Sequence, residues 1–197
     1  MTTPVLHLLA GSNGSGKTTL AQQVLLPLTH LPFVNADLIA EHLWPGDRDA
    51  QARGALEVSQ LAAERRDFLL RRRASFVTET VFSHASKVAL VRQAQDLGYA
   101  VTLHVVMIPE DLAVARVSDR VDAGGHQVPE QKIRARYRRV FPLVAQALRA
   151  TDRGVVYDNS SLDEPFRRVA RLQYGQVVGD PQWPSWTPAA IARLRLG

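Results

Sequence analysis

The stretch Gly11-Ser12-Asn13-Gly14-Ser15-Gly16-Lys17-Thr18-Thr19 decides the fold. It satisfies the spacing G-x-x-x-x-G-K-[ST], with a short apolar run at 5–10 before it and a helix-forming run at 20–26 after it. A strand, a glycine-rich turn and a helix are the context that a phosphate-binding loop requires. The sequence therefore predicts such a loop here, in preference to a glycine-rich turn without a ligand.

The chemistry of the loop explains its spacing. Glycines allow backbone N–H groups to point inward around an anion, and the helix that follows adds unpaired N–H groups and the positive end of its dipole. Lys17 is expected to place a cation on the β- and γ-phosphates, and Thr18 to offer its hydroxyl to Mg²⁺. We expect a nucleoside triphosphate with Mg²⁺ to bind along the whole stretch from Gly11 to Thr19.

Strand-like and helix-like segments alternate along the chain. Strands are predicted at 5–10, 32–35, 75–81, 100–108 and 154–158, and helices at 20–26, 37–43, 49–73, 87–97, 111–122 and from 129 towards 149. Pro27 is expected to end the first helix, Asp49 to cap the third, and Pro142 to kink or interrupt the last. The alternation predicts one three-layer α/β domain over 1–197, with a parallel five-stranded sheet and a small C-terminal appendage at 166–197. That appendage comprises a hairpin around Tyr174-Gly175 and a last helix at 189–196.

Composition excludes several classes of protein. Hydrophobic residues make up 46% and charged residues 22% of the 197 residues, which indicates a globular core and excludes disordered and collagen-like chains. The chain has no cysteine, so disulfides, thiolate catalysis and cysteine-ligated metals are excluded. No apolar run approaches the roughly 18 residues of a membrane span, and no basic segment precedes the first apolar run. We expect a cytoplasmic protein without a membrane partner.

A net charge of +5 is compatible with nucleic acid as a partner, because basic surfaces bind phosphate backbones. However, arginines supply nearly all of the 24 basic residues, with lysine only at Lys17, Lys87 and Lys132. Such a bias is typical of genomic composition, and the charge can equally serve polyphosphate substrates. A nucleic-acid surface is therefore not expected.

Polar residues stand where the second and third predicted strands end. Ligands of open α/β sheets bind at those edges. Asp37, in Asn35-Ala36-Asp37, is placed to accept a proton from a substrate hydroxyl, or else to cap the next helix. Glu79, in Thr78-Glu79-Thr80, could hold a Mg²⁺-bound water or grip substrate hydroxyls, with a solvent-facing loop residue as the alternative.

A basic segment lies at 120–139, around the glycine pair Gly124-Gly125. It is expected to form a flap that closes over the triphosphate and neutralises charge during transfer. Its second helix has an apolar stripe of Ile133, Tyr137 and Val140. Arg136 lies roughly 65° from the centre of that stripe and Arg138 about 135°, so Arg136 is the better placed to reach inward. The polar members of the segment are Arg120, His126, Arg134, Arg136, Arg138 and Arg139; Arg134 and Arg138 are expected on a solvated face, and His126 in a loop.

The fifth predicted strand ends in Tyr157-Asp158-Asn159-Ser160. A loop at this position lies beside the phosphate-binding loop and can meet the nucleotide base. Asn159 is a candidate for reading the adenine amino edge, with a turn or helix cap as the alternative.

Together these residues resemble the zeta toxin family of P-loop kinases, in its compact bacterial branch. The likeness runs from about residue 5 to 175. It rests on Gly11 to Thr18, Asn35-Ala36-Asp37, Thr78-Glu79-Thr80, Arg120-Val121 with Gly124-Gly125-His126-x-Val128-Pro129, and Tyr157-Asp158-Asn159-Ser160. The chain is shorter than full-length toxins of that family.

The resemblance implies a sheet of order 2-3-1-4-5 and transfer of the ATP γ-phosphate to the 3′-hydroxyl of a UDP-amino sugar. It makes Asp37 the general base, Glu79 a substrate contact with Thr80 and Asn35 beside it, and Arg120 and Arg136 the flap arginines. It also implies an antitoxin protein as a partner. Alternative acceptors are a nicotinamide dinucleotide, an antibiotic or an RNA end; a non-catalytic ATP-binding module is the alternative of a different class.

Overall fold

A computed structural model describes residues 2–122 and 129–197, and of residues 120–122 the backbone alone. Within these residues seven strands form one sheet of order β2-β3-β1-β4-β5-β6-β7. The strands are β1 (Val5–Gly11), β2 (Phe33–Val34), β3 (Phe76–Glu79), β4 (Ala100–Met107), β5 (Arg153–Asp158), β6 (Arg167–Gln173) and β7 (Gln176–Val178). The first five in this order pair in parallel, which confirms the predicted α/β P-loop fold and its order 2-3-1-4-5.

The predicted strand count was wrong, because the C-terminal hairpin extends the central sheet instead of lying beside it. β6 pairs antiparallel with β5, and β7 with β6. The hairpin turns at Tyr174 and Gly175, which both have a positive φ. An ion pair of 2.9 Å between Arg167 Nη2 and Asp158 Oδ2 joins the two strands at their far end. The hairpin thereby covers an edge of β5 that would otherwise present unpaired backbone groups.

Helices connect the strands and cover both faces of the sheet. They are α1 (Lys17–Leu20), a wide-turn π-helical segment (Ala21–Leu25), α2 (Leu26–Thr29), α3 (Ala36–Leu43), α4 (Arg48–Arg53), α5 (Ala55–Arg71), α6 (Ser86–Asp96), α7 (Glu110–Asp122), α8 (Glu130–Ala150) and α9 (Ala189–Ala192). No helix in the described ranges is long and apolar enough to cross a bilayer.

Two helices continue through prolines: Pro27, which was predicted to end its helix, and Pro142, which was predicted to kink or interrupt its helix. The first helical stretch continues past Pro27, with the wide-turn segment directly before it in place of the regular hydrogen-bond ladder that proline cannot join. Pro142 lies inside the uninterrupted α8 on its exposed side, where water can satisfy the carbonyl that loses its donor.

The predicted helix at 49–73 is two helices. Asp47, not Asp49, caps α4, since its side chain accepts a hydrogen bond from the Ala50 N–H. The break falls at Gly54, where any Cβ would collide with the indole of Trp44. The last helix is also much shorter than predicted, and ends at Ala192.

The core occupies both faces of the sheet. Alternate residues of β1 point to opposite sides, so that Leu6 and Leu8 join the larger cluster and Leu9 joins a smaller one beneath α1. The smaller side also contains a polar cluster. His7 Nδ1 lies 3.1 Å from His104 Nε2, and His104 Nδ1 lies 3.3 Å from the Tyr157 hydroxyl.

This histidine pair makes stability depend on pH. Burial first and the charge of His7 second lower the pKa of His104 from 6.5 to about 3, and burial also lowers the pKa of His7. The His104 side chain of the unfolded chain therefore binds a proton near pH 6.5, whereas the same side chain in the folded protein stays neutral until the pH approaches 3. The contribution of His104 is complete above that pH and is lost as the pH falls towards 3.

We expect the free energy of unfolding to fall by about 2 kcal/mol between pH 7 and pH 5 through His104. His104→Leu should remove most of this slope, whatever its effect on stability at pH 7. The same substitution at exposed His42 is the control. Denaturant unfolding at a series of pH values measures the slope, and equal slopes in wild type and His104→Leu would contradict the assignment.

Candidate active site

The phosphate-binding loop connects β1 to α1. At two of its glycines, neighbouring atoms lie too close to leave room for a Cβ. A Cβ at Gly11 would collide with the Val106 carbonyl oxygen of the neighbouring strand. Gly16 has a φ of +92°, and a Cβ there would lie 2.6 Å from Nδ2 of Asn159. Both positions exclude other residues, so the loop is held against β4 and against the end of β5.

Two loop hydroxyls are buried without a partner. Within the described part of the chain, Oγ of Ser12 and Oγ of Ser15 accept and donate no hydrogen bond. A buried hydroxyl without a partner is unfavourable by about 1–3 kcal/mol. A phosphate oxygen supplies such a partner, so these two atoms fit the ligand for which the loop spacing is typical.

Lys17 is folded back over the loop. Its Nζ donates a hydrogen bond of 2.9 Å to the Ser12 carbonyl and lies 3.8 Å from Oε1 of Glu79. The side chain is only 5% exposed. The ammonium group is therefore held at the loop with a counter-charge from β3.

Glu79 joins the ends of three strands. Its Oε2 accepts hydrogen bonds of 2.7 Å from the Thr18 hydroxyl and 2.7 Å from Asn35 Nδ2. The carboxylate is 12% exposed, so Glu79 is not the solvent-facing loop residue that was the alternative. The structure thus brings Lys17, Thr18, Asn35 and Glu79 into one polar cluster.

The cluster has the donor set for Mg²⁺. Hydroxyl and carboxylate oxygens are the protein ligands that this ion prefers, and it commonly takes only one or two of them beside substrate phosphates and water. The Thr18 hydroxyl and the Glu79 carboxylate provide them. The described residues contain no group of three or more His, Asp or Glu side chains that could hold a metal ion.

Asn35, not Asp37, caps α3. Its Oδ1 accepts hydrogen bonds from the N–H groups of Asp37 at 2.7 Å and Leu38 at 3.3 Å. The capping alternative for Asp37 is therefore wrong. Asparagine one residue before a helical run is a common cap, a signal that the sequence analysis missed. Asp37 lies in the first helical turn, is exposed, and lines a cavity.

This acceptor cavity has a volume of about 300 Å³ and lies beside the polar cluster. Asn35, Asp37, Glu79 and Thr80 line it, as all four were predicted to stand at one sheet edge. Other lining side chains come from α5, from α6 and from the segment between β3 and α6, and were not predicted: Ser59, Ala62, Arg66, Ser83 and Lys87. The spacing of residues 59, 62 and 66 on one helical face was the available signal.

Arg136 is an exposed arginine on the side of α8 that faces the loop. It borders a narrow cleft together with Ser12 and Asn13. Ile133, Tyr137 and Val140 are buried, as the stripe predicts. Arg120 has no described side chain, and Gly124, Gly125 and His126 lie outside the described residues, so their roles remain predictions.

Two other arginines of α8 are engaged elsewhere. Arg134 Nη2 lies 2.7 Å from Oδ1 of Asp111, and its Nε lies 2.7 Å from Oε1 of Glu130. Arg138 is 73% exposed, with its Nε 3.5 Å from Oε1 of Glu110. Arg134 is thus partly covered by ion pairs to α7 and not on a simply solvated face, whereas Arg138 faces outward.

Asn159 supports the loop from the end of β5. Its Nδ2 donates to the Ser15 carbonyl at 2.9 Å, and its Oδ1 accepts from the Phe166 N–H at 3.3 Å. The side chain is buried. Both ends of the amide are engaged by backbone, which makes Asn159 a loop support; a contact with adenine stays a prediction.

Comparison with known proteins places the sequence in a family. Residues 6–143 match the AAA domain family. The chain belongs to this family. None of the curated proteins matches the sequence.

Solved structures of similar fold include kinases, a toxin-antitoxin system and the AvrRxo1-ORF1:AvrRxo1-ORF2 complex. The AvrRxo1-ORF1:AvrRxo1-ORF2 complex with sulphate ions is similar with a TM-score of 0.70 and 18% identity, over 98% of this chain and 64% of the other. The PezAT chromosomal toxin-antitoxin system of Streptococcus pneumoniae is similar with a TM-score of 0.59 and 14% identity, over 87% of this chain and 72% of the other. Shikimate kinase from Acinetobacter baumannii in complex with shikimate is similar with a TM-score of 0.50 and 22% identity, over 74% of this chain and 80% of the other. The chain spans less than two thirds of the matched AvrRxo1 chain, and at these identities the likeness shows the fold.

The contacts of Gly16 predict a severe effect of one methyl group. Gly16→Ala combines a strained φ with the collision against Asn159, so it should unfold at a clearly lower temperature and lose nucleotide binding. Gly46 has a similar φ of +71° with open space around it, so Gly46→Ala should carry only the strain of about 1–2 kcal/mol. Thermal unfolding and equilibrium binding of ATP compare the two variants. Equal effects of the two would show that the contact with Asn159 does not constrain the loop.

Proposed function

We propose that this protein is a P-loop kinase that transfers the γ-phosphoryl group of ATP, bound with Mg²⁺, to a hydroxyl of a small molecule. The observation that carries the proposal is the position of Asp37 and Glu79. Both line one cavity that adjoins Lys17 and Thr18 of the phosphate-binding loop. A module that only binds ATP has no need for a carboxylate pair in a second cavity beside the loop.

The roles of the residues follow from where they lie. The Asp37 carboxylate accepts the proton as the acceptor oxygen forms its bond to phosphorus and the bond from phosphorus to the bridging oxygen of ADP breaks. Glu79 positions Thr18 and Asn35 and faces the acceptor with Thr80. Lys17 and Arg136 lie at the loop, where they neutralise charge that grows on the transferred group. Mg²⁺, when bound through Thr18, supplies further charge neutralisation at the phosphates.

The acceptor is proposed more narrowly on the resemblance to zeta toxins, which act on a UDP-amino sugar. The fold shared with the PezAT toxin-antitoxin system and with the AvrRxo1 complex containing ATP supports this direction. An antitoxin protein is the corresponding proposed partner. Since the cavity is small, another hydroxylated acceptor is the alternative.

Asp37→Asn tests the general base. ATP affinity should stay within about threefold, whereas turnover should fall by roughly 10²-fold or more. Glu57→Gln is the control, because Glu57 is also an exposed carboxylate in the first turn of a helix but does not line the acceptor cavity. Transfer of labelled phosphate from γ-labelled ATP to a metabolite extract provides the assay. Unchanged turnover in Asp37→Asn would exclude Asp37 as the base.

Arg136→Ala and Arg138→Ala separate a contact in the site from a diffuse positive field. Arg136→Ala should lower kcat more than ATP affinity, because it meets charge that develops only during transfer. Arg138→Ala should change neither, since its guanidinium faces solvent and Glu110. Both are compared in one assay at several salt concentrations. Equal, salt-sensitive losses would mean that the two arginines act only through a screened surface field.

A further inference from the structure

The acceptor cavity contains two positive charges that the proposed chemistry does not use. Arg66 projects into it from α5, one and two turns beyond Ala62 and Ser59 on the same face. Lys87 projects into it from the first turn of α6. These residues stand in the same cavity as the carboxylates of Asp37 and Glu79, so its lining contains both signs of charge.

Arg66 differs from its neighbours on α5. Its side chain is only 9% exposed, whereas Arg65 and Arg72 are exposed and lie over the ring of Phe68. A surface arginine on a helix normally keeps its guanidinium in water. Burial lowers the pKa of Arg66, with the charge of Asp67 acting in the opposite direction. The helix thus directs one arginine inward at an energetic cost.

Lys87 adds a second cation close to the first. Burial, and then the charge of Arg66, lowers the pKa of the Lys87 ammonium. Among the described residues, no hydrogen bond or ion pair joins either side chain to Asp37, Glu79 or another carboxylate. Arg66 is buried and Lys87 is partly buried, and like charges close together repel. An anion that binds between them offsets this repulsion.

We propose that Arg66 and Lys87 form a subsite for an anionic group of the acceptor, a carboxylate or a phosphate ester. The proposal rests on the kinase function, and it names the class of substrate: a small hydroxylated acid or sugar phosphate. The guanidinium binds two oxygens of such a group in parallel, and the ammonium acts as a point charge. The hydroxyls of Ser59 and Ser83, in the same lining, are further donors.

The two signs of charge also orient the acceptor. An anion is repelled from Asp37 and Glu79 and attracted to Arg66 and Lys87, so the neutral hydroxyl end of the molecule turns towards the carboxylates. This is the orientation in which Asp37 can take the hydroxyl proton. A volume of about 300 Å³ lies at the lower end of the range for ligand pockets, roughly 300–1,000 Å³, which favours a small acceptor over a dinucleotide.

The test measures binding without requiring phosphoryl transfer. Calorimetric titrations are made with saturating ADP and Mg²⁺, so that the phosphate-binding loop is filled and does not take up the probe. The probes are glycerol, glycerate and glycerol 3-phosphate, and glucose, gluconate and glucose 6-phosphate. In at least one series a charged member should bind at least about tenfold more tightly than its neutral parent. The acid and the phosphate ester distinguish the two sources of the anion.

Arg66→Met keeps the apolar stem and removes the charge. It should weaken binding of the charged probe by about 10- to 100-fold and leave the neutral parent unchanged. Arg65→Met, one residue away on the exposed face, should change neither. Because the lost charge faces another cation, Arg66→Met should melt at the wild-type temperature or above it. If it melts lower, Lys87→Met takes its place, with Arg92→Met on α6 as its control.

Three results would each overturn the anion subsite. Charged and neutral probes could bind equally, no charged probe could bind, or the affinity for the charged probe could stay unchanged in both Arg66→Met and Lys87→Met. The kinase function is judged separately with ATP in place of ADP. A charged probe that binds through Arg66 but never receives phosphate leaves the subsite standing and counts against the kinase. If a neutral probe is phosphorylated and Arg66→Met has no effect, the kinase function is supported and the anion subsite is contradicted.

Discussion

The carboxylate of Glu79 is the contact on which the site depends. It lies at the end of β3, between the two neighbouring strands, and it binds groups from both: Thr18 and Lys17 follow β1, and Asn35 follows β2. Asn35 in turn caps α3 and so fixes the helix that carries Asp37. A buried carboxylate is stable only when it is hydrogen-bonded or paired. One such requirement therefore sets the position of the phosphate-binding loop relative to the proposed base.

The opposite side of the loop is held in an equivalent way from β5. Asn159 donates to the Ser15 carbonyl and packs against Gly16, while β4 supplies the Val106 carbonyl that excludes a side chain at Gly11. The loop is thus fixed by contacts from the strands on both sides of β1. This rigidity is the condition under which the unpartnered hydroxyls of Ser12 and Ser15 stay in place for a ligand.

Local sequence predicted the features that depend on local chemistry. The phosphate-binding loop and the edge at which Asn35, Asp37, Glu79 and Thr80 meet follow from a glycine pattern and from strand ends. The strand order 2-3-1-4-5 was implied by the family resemblance. The wheel of α8 separated Arg136 from Arg138 because a helix fixes the direction of each side chain. Features that depend on tertiary contacts were missed. The break at Gly54 needs Trp44 beside it, the hairpin joins the sheet only because β5 offers an edge, and α2 tolerates Pro27 because of a wide turn.

Arg66 and Lys87 show the same limit for function. In the sequence each is one of 24 basic residues. The spacing of residues 59, 62 and 66 indicates a shared helical face, but not what that face contacts. Only the packing of α5 and α6 over the end of β3 brings the two cations into one cavity with two carboxylates. The two cations repel each other, and the loop hydroxyls of Ser12 and Ser15 are buried without a hydrogen-bond partner. Unfavourable interactions thus occur at two adjoining places, the phosphate-binding loop and the acceptor cavity. A protein that binds two anions side by side, as we propose, sacrifices some stability at both places. In the proposed arrangement, positive charge stands on both sides of the transferred group, from the loop and from the anion subsite. Asp37, the proposed base, lines the same cavity as Arg66 and Lys87.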